Sequence, residues 1–325
     1  MKKRRNILLI LAAFLLVILF MAYRITRIDG RIIKVGAASD KGFNTEYYLF
    51  IPDTLNVSDS TFLLVEPNNT GFVDDRHKEH KKSAYKTIRF GQSSQIARKL
   101  GIPLLVPCFD RPKEDWQIYT HALDRDTLLC DKYPLVRIDK QLNSMIDDAK
   151  TYLNSHDIHV KDKVLLNGFS ASGSFVNRFT ALYPERVAAV AAGGINGMAI
   201  LPVEIIKGND LVYPVGIKDL KQIAGLDFNP SAFASVPQYY YMGANDENDT
   251  LPFDDAFSPM ERELIIKVLG ENMSARWDNC QKLYKTQNIR AQFHTYHGIG
   301  HGTTPEINGD IVSFFTQVID EYRNN

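Results

Sequence analysis

The stretch that decides the fold runs Lys163-Val164-Leu165-Leu166-Asn167-Gly168-Phe169-Ser170-Ala171-Ser172-Gly173-Ser174-Phe175. Its apolar run, Val164-Leu165-Leu166, reads as a strand covered on both faces, and it ends in Gly168-Phe169-Ser170-Ala171. A helical pattern follows at once, with Phe175, Val176, Phe179 and Leu182 on one face and Pro184 closing it. A serine on a sharp turn between strand and helix is held beyond the carboxyl edge of a sheet, with its hydroxyl exposed. Such a turn asks for small residues two before and two after the serine, so that the two backbones can approach closely. Gly168 meets the first demand, and Ser172 stands at the second, where glycine is usual. Ser172 is the poorer nucleophile candidate, because its own flanking positions are Ser170 and Ser174.

An attacking serine needs a base to take its proton and a carboxylate to orient the imidazole and stabilise its cation. In a sheet of this kind the chain order is serine, acid, histidine. Downstream, Tyr239-Tyr240-Tyr241-Met242 leads into Gly243-Ala244-Asn245-Asp246, which places Asp246 just beyond a strand end. The last strand pattern leads into Tyr296-His297-Gly298-Ile299-Gly300-His301-Gly302, where glycine neighbours let His301 reach across a loop. Asp249 competes with Asp246, and His297 with His301; the reading favours Asp246 and His301. The carboxylates at 246, 247 and 249 lack the spacing and later glutamate of a calcium loop, and surface acidity accounts for them.

Outward from this core the chain alternates strands with helices. Strand patterns fall at residues 46–52, 61–65, 103–107, 164–167, 187–191, 238–242 and 291–296. Helical spacing predicts helices over 83–100, 136–153, 259–285 and 306–322. The alternation implies a mostly parallel, doubly wound α/β sheet. Residues 198–236 are less regular, carry Pro202, Pro214 and Pro230, and read as an insertion that could cap a pocket. The charged run from Asp74 to Lys82, with His77 and His80, reads as a solvated face and not a metal site. Trp116 and Tyr119 either line a pocket or pack a loop.

The chain resembles the α/β-hydrolase family, through Gly168-Phe169-Ser170-Ala171-Ser172-Gly173, Tyr183-Pro184-Glu185-Arg186-Val187 and Gly300-His301-Gly302. Within it the resemblance is to the extracellular esterase and polyhydroxybutyrate-depolymerase branch, and it covers roughly residues 45–320. It implies a serine hydrolase with Ser170 as nucleophile, Asp246 as orienting acid and His301 as base. It also implies an oxyanion hole built from the amide of Ala171 and a second amide from an early loop. That loop often carries a His-Gly pair; here it reads Glu66-Pro67-Asn68-Asn69-Thr70-Gly71, so the second donor falls to Asn69 or Thr70. The implied substrate is a small-molecule or polyester-like ester, with no cofactor and no metal. A binding protein of the same fold and a serine peptidase are the alternatives.

Composition sets the outer bounds. The 325 residues are 45% hydrophobic and 23% charged, which excludes a disordered chain or a disulfide scaffold. Lys and Arg total 38 against 38 Asp and Glu, so there is no overall basic field to gather nucleic acid. The three cysteines form no C-x-x-C pair, and the sequence leaves a Cys108–Cys130 bridge open. The basic N-terminus at 1–6 precedes an unbroken apolar run at 7–23. At 1.5 Å per residue that run spans roughly 25 Å, close to the ~30 Å core of a bilayer. Met21-Ala22-Tyr23-Arg24 is a poor cleavage site, so an uncleaved transmembrane signal anchor is expected. The basic cluster at the start favours a cytoplasmic N-terminus and an exported body. The expected organisation is then the anchor, a juxtamembrane segment at 24–42 and the α/β domain at 43–325.

Overall fold

The computed structural model describes residues 29–55, 60–69 and 71–324. The expected membrane span at 7–23 and the oxyanion candidate Thr70 lie outside the described residues. No helix among the described residues is long and apolar enough to cross a membrane.

Eight strands make the main sheet: β1 (Gly30–Val35), β2 (Tyr47–Pro52), β3 (Leu64–Val65), β4 (Leu104–Pro107), β5 (Val164–Phe169), β6 (Val187–Gly193), β9 (Gln238–Gly243) and β10 (Ala291–Tyr296). Their order is β1-β2-β4-β3-β5-β6-β9-β10. Strand β2 pairs antiparallel with β1 and with β4, and every other neighbour in the sheet is parallel. Every residue of β2, β4, β6 and β9 is buried, which explains why these strands read as continuous apolar runs. Successive side chains enter two separate cores. Val164 and Leu166 pack on one face, and Leu165 on the other.

The helices divide between those faces. One face is covered by α1 (His77–Phe90), α2 (Gln92–Leu100) and α10 (Pro305–Asn324), through Ile88, Ile96, Ile311 and Phe315. The other is covered by α4 (Ile138–Asn154), α5 (Ala171–Leu182), α8 (Pro259–Leu269) and α9 (Met273–Thr286), with the short α3 (Arg125–Leu129) beside them. The segment at 198–236 holds a small hairpin, β7 (Ile205–Ile206) and β8 (Asn209–Asp210), and two short helices, α6 (Leu220–Ala224) and α7 (Pro230–Ser235). Its Leu201, Leu211 and Tyr213 are fully buried, and the Tyr213 hydroxyl donates to the Leu123 carbonyl.

The structure departs from the sequence reading in three places. Residues 30–35, expected in the juxtamembrane segment, form edge strand β1 against β2. The helix predicted over 83–100 is two, because Gly91 takes an extended ψ of 172° and splits α1 from α2. The helix predicted over 259–285 is likewise two, broken at Gly270 with φ 116°, a conformation that disfavours other residues.

Candidate active site

Ser170 sits between β5 and α5 with φ 60° and ψ −125°, a strained conformation for a residue with a side chain. The surroundings impose it. The Ser170 amide donates to the Gly193 carbonyl of β6 at 2.8 Å, and the Ser170 carbonyl accepts from the Ser174 amide at 3.0 Å. A Cβ at Gly168 would lie 2.3 Å from the Ser172 carbonyl oxygen, so the turn closes only over glycine there.

The second close approach does not fall where the pattern suggests. It is Gly173 whose Cβ would lie 2.6 Å from the Gly193 carbonyl oxygen, the oxygen that holds the Ser170 amide. Ser172 has another task. Its buried hydroxyl accepts from the Phe169 amide at 3.0 Å and donates to the Phe169 carbonyl at 2.9 Å. The missing glycine at 172 is thus replaced by a side chain that ties the turn to itself.

His301 and Asp246 come together at the ends of β10 and β9. His301 Nδ1 lies 2.9 Å from Asp246 Oδ2 and 3.1 Å from Oδ1. The Asp246 side chain is only 3% exposed, against 24% for His301, so the carboxylate is shielded behind the ring. A proton on Nδ1 satisfies the carboxylate and leaves the Nε2 lone pair free to accept. The loop carrying His301 folds over the end of β9, where the Asn245 amide donates to the Ile299 carbonyl at 2.9 Å. A Cβ at Gly243 would meet that carbonyl oxygen at 2.2 Å.

The ring of His301 packs on Phe169, the residue before Ser170, with centroids 4.7 Å apart. It also closes on Gly194, where a Cβ would come within 2.9 Å of His301 Cε1. Ser170 Oγ itself makes no hydrogen bond among the described residues, and His301 Nε2 lies 3.4 Å from Asn248 Nδ2.

The competing residues are placed elsewhere. Asp249 lies 2.7 Å from the guanidinium of the fully buried Arg276, a charge pairing off the ideal hydrogen-bond angle, and so has a structural partner. His297 is exposed and makes no hydrogen bond among the described residues. The charged run around α1 is not uniformly solvated, as its composition suggests. His80 is fully buried, 2.7 Å from the Asp74 carbonyl, and His77 lies 2.6 Å from Asp110 and 3.4 Å from Glu46. These carboxylates raise the His77 pKa, the Asp110 hydrogen bond most of all. Among the described residues no group of three or more His, Cys, Asp or Glu side chains is arranged to hold a metal. Cys108, Cys130 and Cys280 are buried free thiols.

Ala171 is the first residue of α5, where helix amides have no intrahelical partner and the helix dipole favours negative charge. The early loop lies against the same turn. Asn69 Nδ2 is 3.4 Å from the Phe169 carbonyl, and Asn69 Oδ1 accepts from the Gly71 amide at 3.0 Å. Ser170 and Ala171 open into a narrow cleft walled by Tyr119, Gly194 and Phe257 and continued along α5 by Ser174 and Arg178. Tyr119 thus lines the pocket, with the Arg111 guanidinium stacked 3.5 Å from its ring centre. Arg178, Asn248 and Gly194 are site residues that the sequence reading misses. The spacing 170, 174, 178 is the signal that could have found Arg178, since it repeats one helix face.

The sheet order, the strained serine between β5 and α5 and the acid and histidine after β9 and β10 define an α/β-hydrolase fold. No known family description matches the sequence, and no curated protein matches it. Solved structures do match over nearly the whole chain. A poly(3-hydroxybutyrate) depolymerase from Bordetella parapertussis superposes with a TM-score of 0.59 at 15% identity, covering 91% of this chain and 92% of that one. Poly(aspartic acid) hydrolase-1 from Sphingomonas sp. KT-1 gives 0.57 at 16% identity, covering 90% and 98%. An S-formylglutathione hydrolase from Agrobacterium tumefaciens gives 0.54 at 11% identity, covering 91% and 96%.

Proposed function

We propose that this chain is an esterase-like serine hydrolase that cleaves carboxylic esters through an acyl-enzyme on Ser170. The observation that carries the reading is the His301–Asp246 pair, 2.9 Å long, packed against the strained turn that presents the serine. In this reading His301 Nε2 takes the Ser170 proton as Oγ attacks the ester carbonyl. The tetrahedral oxyanion is received by the Ala171 amide and by an amide of the loop at Asn69 or Thr70. His301 then protonates the departing alcohol, and water repeats the sequence to release the acid. Asp246 holds the imidazole and offsets its charge throughout. One oxyanion donor is worth about 2.7–4 kcal/mol of barrier, so the early loop contributes to the rate beside the triad.

The fold likeness to a polyester depolymerase supports ester or polyester-like substrates. The apolar run at 7–23, behind its basic cluster, supports a single membrane anchor with the catalytic domain outside the cytoplasm. Protease treatment of intact cells that spares the domain would refute that orientation. The position of Asn248 against His301 Nε2 is the observation that favours the second reading, a binding protein in which the base is occupied. Hydrolysis of 4-nitrophenyl esters of graded acyl length by the full-length protein, with Ser170→Ala as control, separates the two. Turnover that vanishes in the variant supports the enzyme; turnover that survives, or is absent in both, overturns it.

A further inference from the structure

The cleft beside Ser170 contains a buried guanidinium that, among the described residues, touches no carboxylate. Three arginines in the described residues are nearly fully buried: Arg111 at 4% exposed, Arg178 at 6% and Arg276 at 0%. Two of them face carboxylates, Arg111 at 2.5 Å from Asp255 and Arg276 at 2.7 Å from Asp249. Arg178 does not. Among the described residues no carboxylate lies within 4 Å of it, and its one side-chain hydrogen bond runs from Nη1 to the Ala122 carbonyl at 2.9 Å. The ring of Phe257 lies 5.8 Å from the guanidinium carbon. The two buried acids nearest in effect, Asp124 and Glu261, are turned to other partners, the Thr127 amide at 2.9 Å and the Ser258 amide at 2.7 Å. Asp124 and Glu261 act on Arg178 only at longer range, and a buried guanidinium with no carboxylate in contact is served by a counter-charge that a ligand brings.

Its place in the fold says which ligand. Ser174 and Arg178 lie one turn apart on α5, Ser170 stands just before that helix, and all three line one cleft. From Ala171, next to the serine, to Arg178 the helix rises about 10 Å along its axis. A helical side chain leans back toward the N-terminus, which shortens that distance. What remains suits a short aliphatic chain between a scissile carbonyl and a terminal acid.

We propose that Arg178 is a specificity-determining residue that binds a carboxylate at the far end of the substrate's acyl chain. This rests on the serine hydrolase reading and deepens it: the preferred substrates are esters whose acyl part carries a free acid. Guanidinium and carboxylate match as a planar fork, which an ammonium at the same place does not reproduce.

The test compares monobutyl adipate with butyl hexanoate, which differ by the terminal acid, using the full-length protein in detergent and chromatography of the released products. The wild type should favour the acidic ester at least tenfold in kcat/KM, mostly through KM. In Arg178→Met the ratio should fall to about one, and Arg178→Lys should recover part of it. Equal rates on the two esters in the wild type, or a ratio unchanged in Arg178→Met, overturn the proposal. Calorimetric titration of adipate into the wild type covers the case in which the variant fails to fold: saturable binding supports the site, and its absence refutes it. If neither ester is cleaved and a fluorophosphonate leaves Ser170 unlabelled, it is the hydrolase reading that has failed, and the same titration still decides the arginine site.

Discussion

Replacing Gly173 by alanine tests whether the turn is built as the structure indicates, with the helix of the nucleophile resting on β6 through one glycine. The added Cβ would lie 2.6 Å from the Gly193 carbonyl oxygen, 3.0 Å from Ile195 Cγ2 and 3.2 Å from the Gly168 carbonyl oxygen. Ordinary van der Waals contact begins near 3.4 Å, so α5 must retreat from β6 by roughly 0.8 Å. Two of the three obstacles are backbone oxygens and cannot rotate away. Overpacking of this kind costs about 1–3 kcal/mol. The retreat also pulls on the bond between the Ser170 amide and Gly193, and a displacement approaching 1 Å at a reacting group can cost about 10²-fold in rate. Thermal unfolding followed by circular dichroism, with kcat/KM on a short-chain 4-nitrophenyl ester, reads both effects. Gly173→Ala should lower the melting temperature and depress kcat/KM by about two orders of magnitude. A variant with wild-type stability and activity within twofold would refute this account of the turn.

Other substitutions separate neighbouring residues by role. Ser172→Ala leaves the partly buried Phe169 amide without this acceptor and should cost about 1 kcal/mol, read in the same melts. Asp246→Asn should reduce kcat by at least about 10³-fold with little loss of stability, since it removes the group orienting His301. Asp249→Asn should do the reverse, lowering the melting temperature by unpairing the buried Arg276 while turnover per folded molecule persists. Burial pushes the Glu66 carboxyl from 4.5 up to about 7, so the stability it contributes is present below pH 4.5 and lost as pH rises through 7. At about 1.4 kcal/mol per unit the loss comes to roughly 3–4 kcal/mol. Glu66→Gln should therefore gain stability over the wild type above pH 7.5 and little near pH 4.5; a difference that does not change with pH would contradict this.

The elements most legible in the sequence were those whose burial leaves no choice of residue. Strands β2, β4, β5 and β9 are mostly apolar because helices cover both faces, and their runs stand out at once despite Asn167 and Gln238. Edge strand β1 was not legible, since Gly30–Val35 mixes Arg31 and Lys34 with its apolar residues and is only half covered. The two broken helices kept their apolar spacing across Gly91 and Gly270, so periodicity alone joined them. At the site, chain order placed Ser170, Asp246 and His301 at three strand ends, and the structure brings the last two into contact beside the first. The sequence could not show which glycine bears on β6, because a one-residue shift along the motif changes which Cβ faces the strand. Arg178 was hidden for a related reason. On paper it is one cation in an apolar helix, and only the placement of Asp124 and Glu261 reveals that it has no carboxylate beside it.

The central claim is that Ser170 is an activated nucleophile. Labelling the full-length protein with a fluorophosphonate and mapping the modified peptide tests it directly, because such probes react with serines that a base deprotonates. The account predicts one stoichiometric label on Ser170, lost in Ser170→Ala and strongly slowed in His301→Ala. A folded protein that stays unlabelled, or a label carried by another residue and kept in Ser170→Ala, would contradict it.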